Sequence, residues 1–508
     1  MRGYVFYNHI DPTIAYLSLK LARCSILDRP IKPAMAVILS LPRFFTLKFN
    51  TLPYLSVPEN PPPTLPPGFV KFQENQILSP RAKFAADPSQ TGDATLVNIR
   101  SCYNNKYWVV HEVRPFYWIT ASADKPQEDR TKPGCTLFQA QQGVQQQLLL
   151  FSIGMSMYVI LGGGGNDDWK YGLRLIPEAP HGFAVVDWET LAILPPHVSF
   201  RYEGNYLCSR ASFIDGAPYL VFEPGLDAGD PLVAHDLSPN NDGSYRIKSV
   251  HFGQSWRKNP QNWIWADGVE EGLRPWDILF SFVKISDGVF ALRNVGNNAF
   301  CGGLTRDGNT DCLNARYPTI STEARLVVEE RALQRDISQL TYRLSDSRIY
   351  QEEIQEVAHA FTTNHSADKE TTVTLSYASS VSRTTNWTND SSLTMSGVKV
   401  NLEFTTVPVI ENAEVKLSTE FSHEYEWGVA KTTESTRQET YTVVVPPLTT
   451  VKVTLMCTKA ACDVPFTYTQ RDLLISGERV TTIKDDGIFT GINSYNFRFE
   501  SSVQGKND

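Results

Sequence analysis

The sequence predicts a mainly β protein: two tandem units built on one repeated plan, followed by a β domain of different character. Three observations predict it. Short runs of strand-favouring residues recur between Gly, Pro, Asn and Asp clusters along all 508 residues. The first two-thirds of the chain repeats itself. The last third changes composition and carries one unusually long alternation of apolar and charged residues.

The repeat comes first. FVKF at 69–72 has its counterpart in YLVF at 219–222, and VNIRSCYNNKYW at 97–108 in YRIKSVHFGQSW at 245–256. YWITA at 117–121 parallels NWIWA at 262–266, and TLF at 136–138 parallels ILF at 278–280. The offset drifts from 150 to 142 residues, as expected when loops shorten between two copies of one fold. A shorter period lies within each half: LPYLS, NKYWV and MYVIL in the first, GNYLC, GQSWR and NNAFC in the second. Each period leaves room for about four short strands, and three such units close around a shared core. This is the arithmetic of a β-trefoil; a propeller of three blades is too small to close. The expected boundaries are 33–180 and 197–330. The linker 181–196 contains FAVVDWETLAIL, with room for a helical turn or two. Residues 1–32 are read as a loose extension.

From about Leu333 the character shifts. In the stretch 371–396, 14 of 26 residues are Ser or Thr. Interleaved Val, Leu, Tyr and Trp favour a strand with a wet hydroxyl face in that stretch over a disordered linker. Residues 398–405 and 413–427 then alternate. Val398, Val400, Leu402, Phe404, Val415, Leu417, Phe421, Tyr425 and Trp427 share an apolar face, on which Thr419 and His423 also fall. Lys399, Glu403, Glu414, Lys416, Glu420, Glu424 and Glu426 share the polar one. A membrane-crossing β-strand needs about 9–11 residues with this alternation. A lone hairpin cannot cross lipid, because its edges leave backbone groups unpaired; copies must close into a barrel. A half-buried surface hairpin shows the same pattern. In the barrel reading, 406–412 turns the chain, Val398, Val400, Leu402, Phe404, Val415, Leu417, Phe421 and Tyr425 face lipid, and Lys399, Glu403, Glu414, Lys416, Glu420 and Glu424 face the lumen. Two lysines against five glutamates, counting Glu426, give −3 per subunit and a cation-preferring lumen.

Other chemistry is weakly represented. A net charge of −8 is a poor start for binding nucleic-acid phosphates. No run of about 18 apolar residues exists, so no membrane helix is expected. The N-terminus lacks the uninterrupted apolar stretch of a secretory signal, and a cytoplasmic location is expected. The eight cysteines are expected as reduced thiols, although Cys301 and Cys312, and Cys457 and Cys462, are spaced to meet across hairpins. Asn364, Asn386 and Asn389 head glycosylation sequons that matter only if the chain is exported. LGGGGNDDWKYG lacks the Gly-Lys-Ser/Thr of a phosphate loop. Glu356 and His359 fit one helical face, with no second ligand set beside them. No nucleophile elbow is present, and no metal or cofactor is expected.

For a sugar, the needed chemistry is an aromatic platform with a few fixed polar groups. HEVRPFYWITAS offers Tyr117 and Trp118 after a Pro-containing turn, with Arg114 and Asn104 as neighbours. Both aromatics also fit a trefoil core. Asn262 and Trp263 hold the matching place in the second unit, within a Gln-x-Trp pattern that commonly serves packing.

ILSPRAKF, YNNKYW, FYWITASA and CTLF in the first unit, and FAVVDWETL, VAHDL (233–237) and IKSV around the second, resemble the amaranthin-like plant lectins. That resemblance implies binding of galactose linked to N-acetylgalactosamine (T-antigen type), with sites where domains of different subunits meet, hence a homo-oligomer. It also implies sugar contacts at Tyr117 and Trp118. The family's Asn-His pair ahead of the tyrosine is Pro115-Phe116 here. MSGVKVNLEF, PVIEN-AEVKLSTEF, EYEWG (424–428), TYTVVVPPLTTVKV (440–453) and CDVPFTYTQRD (462–472) resemble the aerolysin-type pore-forming module. The resemblance implies an elongated aerolysin-like β domain over 331–508 that stores its hairpin until subunits assemble. Where the family's tip is near Ala-Gly-Ile-Pro, this chain has Thr405-Thr-Val-Pro408. The expected function is thus a non-enzymatic lectin that binds glycans and assembles into pores in target membranes, in defence. A non-lytic cytosolic stress lectin is the alternative, and a glycosidase with lectin domains a third.

Overall fold

The computed structural model describes residues 37–163, 167–178, 180–211, 216–268, 274–393, 397–420 and 425–504. The expected extension 1–32 lies outside them. Almost every element is a strand, and the few helical turns are three-residue 3₁₀ segments.

The first sheet has 12 strands. Six of them pair antiparallel in a ring: Phe44–Lys48, Phe84–Pro88, Leu96–Ser101, Leu137–Gln142, Leu148–Ser152 and Ala184–Asp187. Leu148 and Phe183 exchange backbone hydrogen bonds of 2.8 and 2.9 Å and close it. Three hairpins cap the ring: Tyr54–Ser56 with Lys71–Glu74, Tyr107–Val113 with Phe116–Ala123, and Met157–Leu161 with Leu173–Ile176. The second sheet repeats the plan with His197–Tyr202, His235–Pro239, Tyr245–Ser249, Phe280–Ser286, Val289–Asn294 and Arg325–Glu330, closed by the pairing of last with first. Closure removes the unpaired edges that an open sheet leaves. The repeat read from sequence lands on equivalent strands: Trp108 and Trp256, aligned at the end of the longest matching segment, are both fully buried in their rings.

One expectation is corrected here. Residues 184–187, placed in the linker, form the closing strand of the first ring: Phe45 pairs with Asp187 and Lys48 with Ala184. A 3₁₀ turn, Trp188–Thr190, follows, with the Asp187 carboxylate accepting from the Glu189 amide. The two rings touch through Ile77 and Gln76, whose amides donate to Asn241 at 2.9 and 2.8 Å.

The third sheet is long. Thr450–Leu474 and Arg479–Gln504, 25 and 26 residues, pair over nearly their whole length. At about 3.3 Å per residue that is a ribbon of roughly 80 Å. Across it the order is Lys399–Leu402, Ala332–Tyr342, Thr450–Leu474, Arg479–Gln504, Thr371–Thr388, Lys431–Val445, with Arg348–Thr363 also on Thr450–Leu474. Glu356 and His359 therefore lie on a strand, not a helix, and among the described residues their charged contacts are each other and Lys452. The cysteine pairs do not meet across hairpins either. Cys457 and Cys462 share one strand, and Cys301 lies opposite Ala315 while Cys312 lies opposite Leu304. Asn364 is buried, its amide donating to the Lys369 and Val445 carbonyls.

Candidate functional site

The sugar candidates divide between two places. In the first ring unit, Val113 pairs with Phe116 across a turn containing the cis Arg114–Pro115 bond. Trp118 is 4% exposed and sits among Phe69, Trp169 and Phe116, with ring centroids 5.5, 4.9 and 6.1 Å away. Its ring lies against Gly162 and Gly172, where an added Cβ would come within 2.6 and 3.1 Å. It is a packing residue. Tyr117 is half-buried against the ring core. Asn104 holds its own turn, donating to the Ala121 carbonyl at 2.9 Å and accepting from the Lys106 amide at 3.2 Å. Arg114 is largely exposed, and its Nε donates to Glu112 at 2.8 Å. In the second unit, Trp263 is buried against Tyr219, and its amide donates to Asn259. Asn262, at φ +69°, accepts from Asn297 at 3.1 Å. Both serve the turn rather than a platform.

Beside Trp118, one aromatic that does face solvent is missing from the candidate set. Phe116 is 43% exposed, and the Arg174 guanidinium lies 4.9 Å from its ring centroid. The signal was the departure Pro115-Phe116: an apolar ring at a turn tip, on the same strand face as Trp118 but at the outer end of that face.

The two-faced segment is stowed. Val400, Leu402, Phe404, Val415, Tyr425 and Trp427 pack against the core of the third sheet, and Trp387 meets Phe404 and Tyr425 at 4.9 and 5.0 Å. Lys399, Glu403, Glu414, Lys416, Glu420 and Glu426 are exposed. The alternation thus separates a partly buried face from a wet one, except that Leu417 is 42% exposed. Phe421, His423 and Glu424 lie outside the described residues.

The turn differs from expectation. Strands 398–405 and 413–427 are not the two arms of one hairpin in this state. Lys399–Leu402 runs parallel to Ala332–Tyr342. The hairpin is Val407–Glu411 with Glu414–Ser418, and its tip is Asn412-Ala413, at φ +50° and +63°. Two left-handed residues match the right-handed twist of the flanking strands. Pro408, expected in the turn, is a buried strand residue opposite Leu417. Asn493 holds this hairpin down: its amide donates to the Ile410 carbonyl at 2.9 Å and its oxygen accepts from the Ile410 amide at 3.0 Å.

The Ser/Thr-rich arms pair with each other. Thr371–Thr388 and Lys431–Val445 run in unbroken register from Thr371 opposite Val445 to Thr385 opposite Lys431. Between the arms and the stowed segment, residues 389–393 touch everything else. The Asn389 amide donates to the Tyr468 hydroxyl, and Asp390 pairs with Lys83 of the first ring unit at 2.6 Å. Ser392 exchanges hydrogen bonds with the Ile193 backbone at 2.8 and 2.9 Å, and its carbonyl accepts from Lys284 at 2.8 Å. Leu393, 7% exposed, joins the core of the second ring.

Residues 41–164 match the family model of the Agglutinin domain. No curated protein matches the chain. Among solved structures it is similar to the lamprey immune protein at 12% identity, over 61% of this chain and 91% of that one, with a TM-score of 0.30. A mosquitocidal holotoxin matches at 10% identity over 60% of this chain and 36% of its own, TM-score 0.27. ThreeFoil, a designed protein of threefold symmetry, matches at 12% over 26% of this chain and 96% of its own, TM-score 0.22.

Proposed function

We propose that the chain is a glycan-binding lectin of the amaranthin type whose third domain assembles with copies of itself into a β-barrel pore. The Agglutinin-domain match at 41–164 supports the first half of this reading. Each closed ring of six strands with three hairpins is read as a β-trefoil. The exposed Phe116 ring beside Arg174 and Arg114 supplies an apolar platform flanked by donors, suited to the C–H face and hydroxyl rim of galactose or N-acetylgalactosamine.

One observation carries the second half. Val400, Leu402, Phe404, Val415, Tyr425 and Trp427 are packed against the third sheet, while Lys399, Glu403, Glu414, Lys416, Glu420 and Glu426 already face water. Transferred to a barrel, the same division puts apolar residues in lipid and charges in the lumen, which is the only way a strand crosses a bilayer. Binding to a glycan-bearing surface concentrates subunits, and the gain in effective concentration drives assembly. The role that fits is attack on foreign membranes.

The test is dye release from vesicles bearing a terminal-galactose glycolipid. Deletion of residues 399–426 is expected to abolish release while leaving glycan binding intact. Release that survives the deletion refutes the pore assignment. Absence of glycan binding by the full chain refutes the lectin assignment.

A further inference from the structure

We infer that the small hairpin already sets the register of the inserting ribbon, with its tip at Asn412-Ala413 and its arms reaching back to 398 and 427. Just before it, Asn389–Leu393 form a clasp that keeps both ring units fastened to the ribbon's root. The inference rests on the pore reading above and fixes its geometry.

The register comes from the pairing itself. Glu411 lies opposite Glu414 and Val407 opposite Ser418. Carried outward without a shift, this pairing sets Val400 opposite Tyr425, Lys399 opposite Glu426 and Val398 opposite Trp427. By sequence it also sets Phe404 opposite Phe421. Directly opposed residues share a face of the sheet, so apolar meets apolar at 398, 400, 404, 408 and 410, and Lys399 meets the opposite charge of Glu426. A slip of one residue would set Val400 against Glu424 or Glu426. The same register extends the crossing arm beyond 405. Thr406, Pro408 and Ile410 join the dry face, and Glu411 joins the wet one beside Glu414. Val407 and Val409 are the apolar residues on the wet face, both near the tip.

The clasp comes from comparing two registers. Continued inward, the ladder of the Ser/Thr-rich arms brings Thr388 opposite Gly428. Continued outward, the hairpin brings Gly397 opposite the same Gly428. Between Thr388 and Gly397 the sequence therefore holds more residues than the other strand can match, Asn389–Leu393 among them. Gly397 and Gly428 both hold left-handed φ values, +83° and +76°, at the root of the segment, which glycine adopts without the strain other residues incur.

Having no ladder partner, the excess residues need not leave their present contacts when the ribbon forms. Asp390 keeps Lys83, Ser392 keeps the Ile193 backbone, and Leu393 stays in the second ring. What must let go is different: Lys399–Leu402 from Ala332–Tyr342, and Ile410 from Asn493. The sugar-reading units thus stay attached at the point where the barrel meets the membrane surface.

Two disulfide locks and a dye scan test this in the full chain on vesicles bearing a terminal-galactose glycolipid. An Ile193→Cys/Ser392→Cys pair closes the clasp and, oxidised, is expected to leak like wild type. An Asp336→Cys/Asn401→Cys pair ties Lys399–Leu402 to its parallel neighbour, where Asn401 now donates to Asp336 at 2.6 Å. Oxidised, it is expected to leak at least about tenfold less, recovering on reduction, because a disulfide survives forces that break single hydrogen bonds. An environment-sensitive dye at Pro408→Cys and Ile410→Cys is expected to report lipid, at Val409→Cys water, and at Ala413→Cys water on the far side. A clasp lock that silences leakage overturns the clasp. A water signal at 408 with no alternation beyond 405 overturns the register. Both results leave the pore reading standing, whereas a wild-type chain that never leaks removes it, and the inference with it.

Discussion

Arg335 and Asp472 form a two-pronged ion pair, Nε on Oδ1 at 2.7 Å and Nη2 on Oδ2 at 2.8 Å. Glu330, the last strand residue of the second ring, completes the cluster at 2.5 Å from Nη2. All three side chains are about 10% exposed or less. One guanidinium thus fastens the end of the ring to the long sheet. Burial pushes the Glu330 carboxyl up, against the pull of Arg335, while the two carboxylates push the guanidinium up against its own burial. Arg335→Ala would leave two carboxylates buried without a cation. A loss of about 3–5 kcal/mol is expected, read as a lower urea midpoint for the third domain.

Two histidines on neighbouring strands of the second ring respond to pH in opposite directions. His235 is fully buried against Phe200 and Trp256. Burial holds its pKa down to about 4; the hydrogen bond to the Leu207 carbonyl opposes this and Arg331 adds to it. A depressed folded value means stability that is present above the unfolded value of about 6.5 and lost as pH falls toward 4. The shift corresponds to roughly 3 kcal/mol. His197 is raised by its 2.8 Å hydrogen bond to Asp236, with burial opposing. Its contribution is present below about 6.5 and lost as pH rises through its folded value. Calorimetric scans from pH 4 to 8 should show the acid-side loss flattened in His235→Gln, and the gain near pH 6 absent in His197→Asn.

Substitutions in the Phe116 region separate packing from recognition. Trp118→Ala is expected to cost about 3–5 kcal/mol of stability in the first ring, since it empties a site lined by three aromatic rings. Phe116→Ala removes a 43% exposed ring and should change stability by no more than about 1 kcal/mol, while weakening binding to a galactose matrix roughly tenfold. Equal loss of binding in both variants at matched folded fraction would argue against the platform.

Ala413 occupies a backbone region that favours glycine, at φ +63°. Ala413→Gly should stabilise the stowed hairpin by about 1 kcal/mol, visible as slower hydrogen exchange of the Val407–Glu411 and Glu414–Ser418 amides. The same change should leave glycan binding untouched.

The wet face of the segment carries more carboxylates than ammonium groups. Reversal potentials across a salt gradient should therefore show cation preference, because rings of carboxylates line cation-selective pores. Glu414→Gln with Glu420→Gln should weaken that preference without changing the number of subunits assembled.

The sequence made the rings legible because inward-facing residues such as Trp108 and Trp256 are fixed by packing, and packing repeats when a fold repeats. The stowed face was legible for the same reason: Val400, Leu402 and Phe404 must be dry in any state. The closing strand Ala184–Asp187 was not, because its four residues pair with Phe44–Lys48 far away in the chain, and no local pattern encodes so distant a partner. The hairpin tip was missed because Pro408 attracts a turn assignment. On a two-stranded ribbon a proline is tolerated wherever its missing N–H would have pointed outward. Two of the sugar candidates show a different ambiguity. Trp118 and Trp263 are aromatic for the sake of the core, and nothing in a single sequence separates that use from a platform.

A closed ring has no rim. The central strands of both repeated units pair into closed rings, so neither ring offers an open sheet edge to a neighbour. The third sheet is open, and its outermost strand, Lys431–Val445, offers a fifteen-residue flank studded with Thr, Ser and Glu. Such a flank is too polar to stick by accident, yet free to accept a matching strand. On the reading proposed above, adhesion to sugar and adhesion between copies are thereby housed in separate architectures, so that crowding on a surface can change the second without disturbing the first.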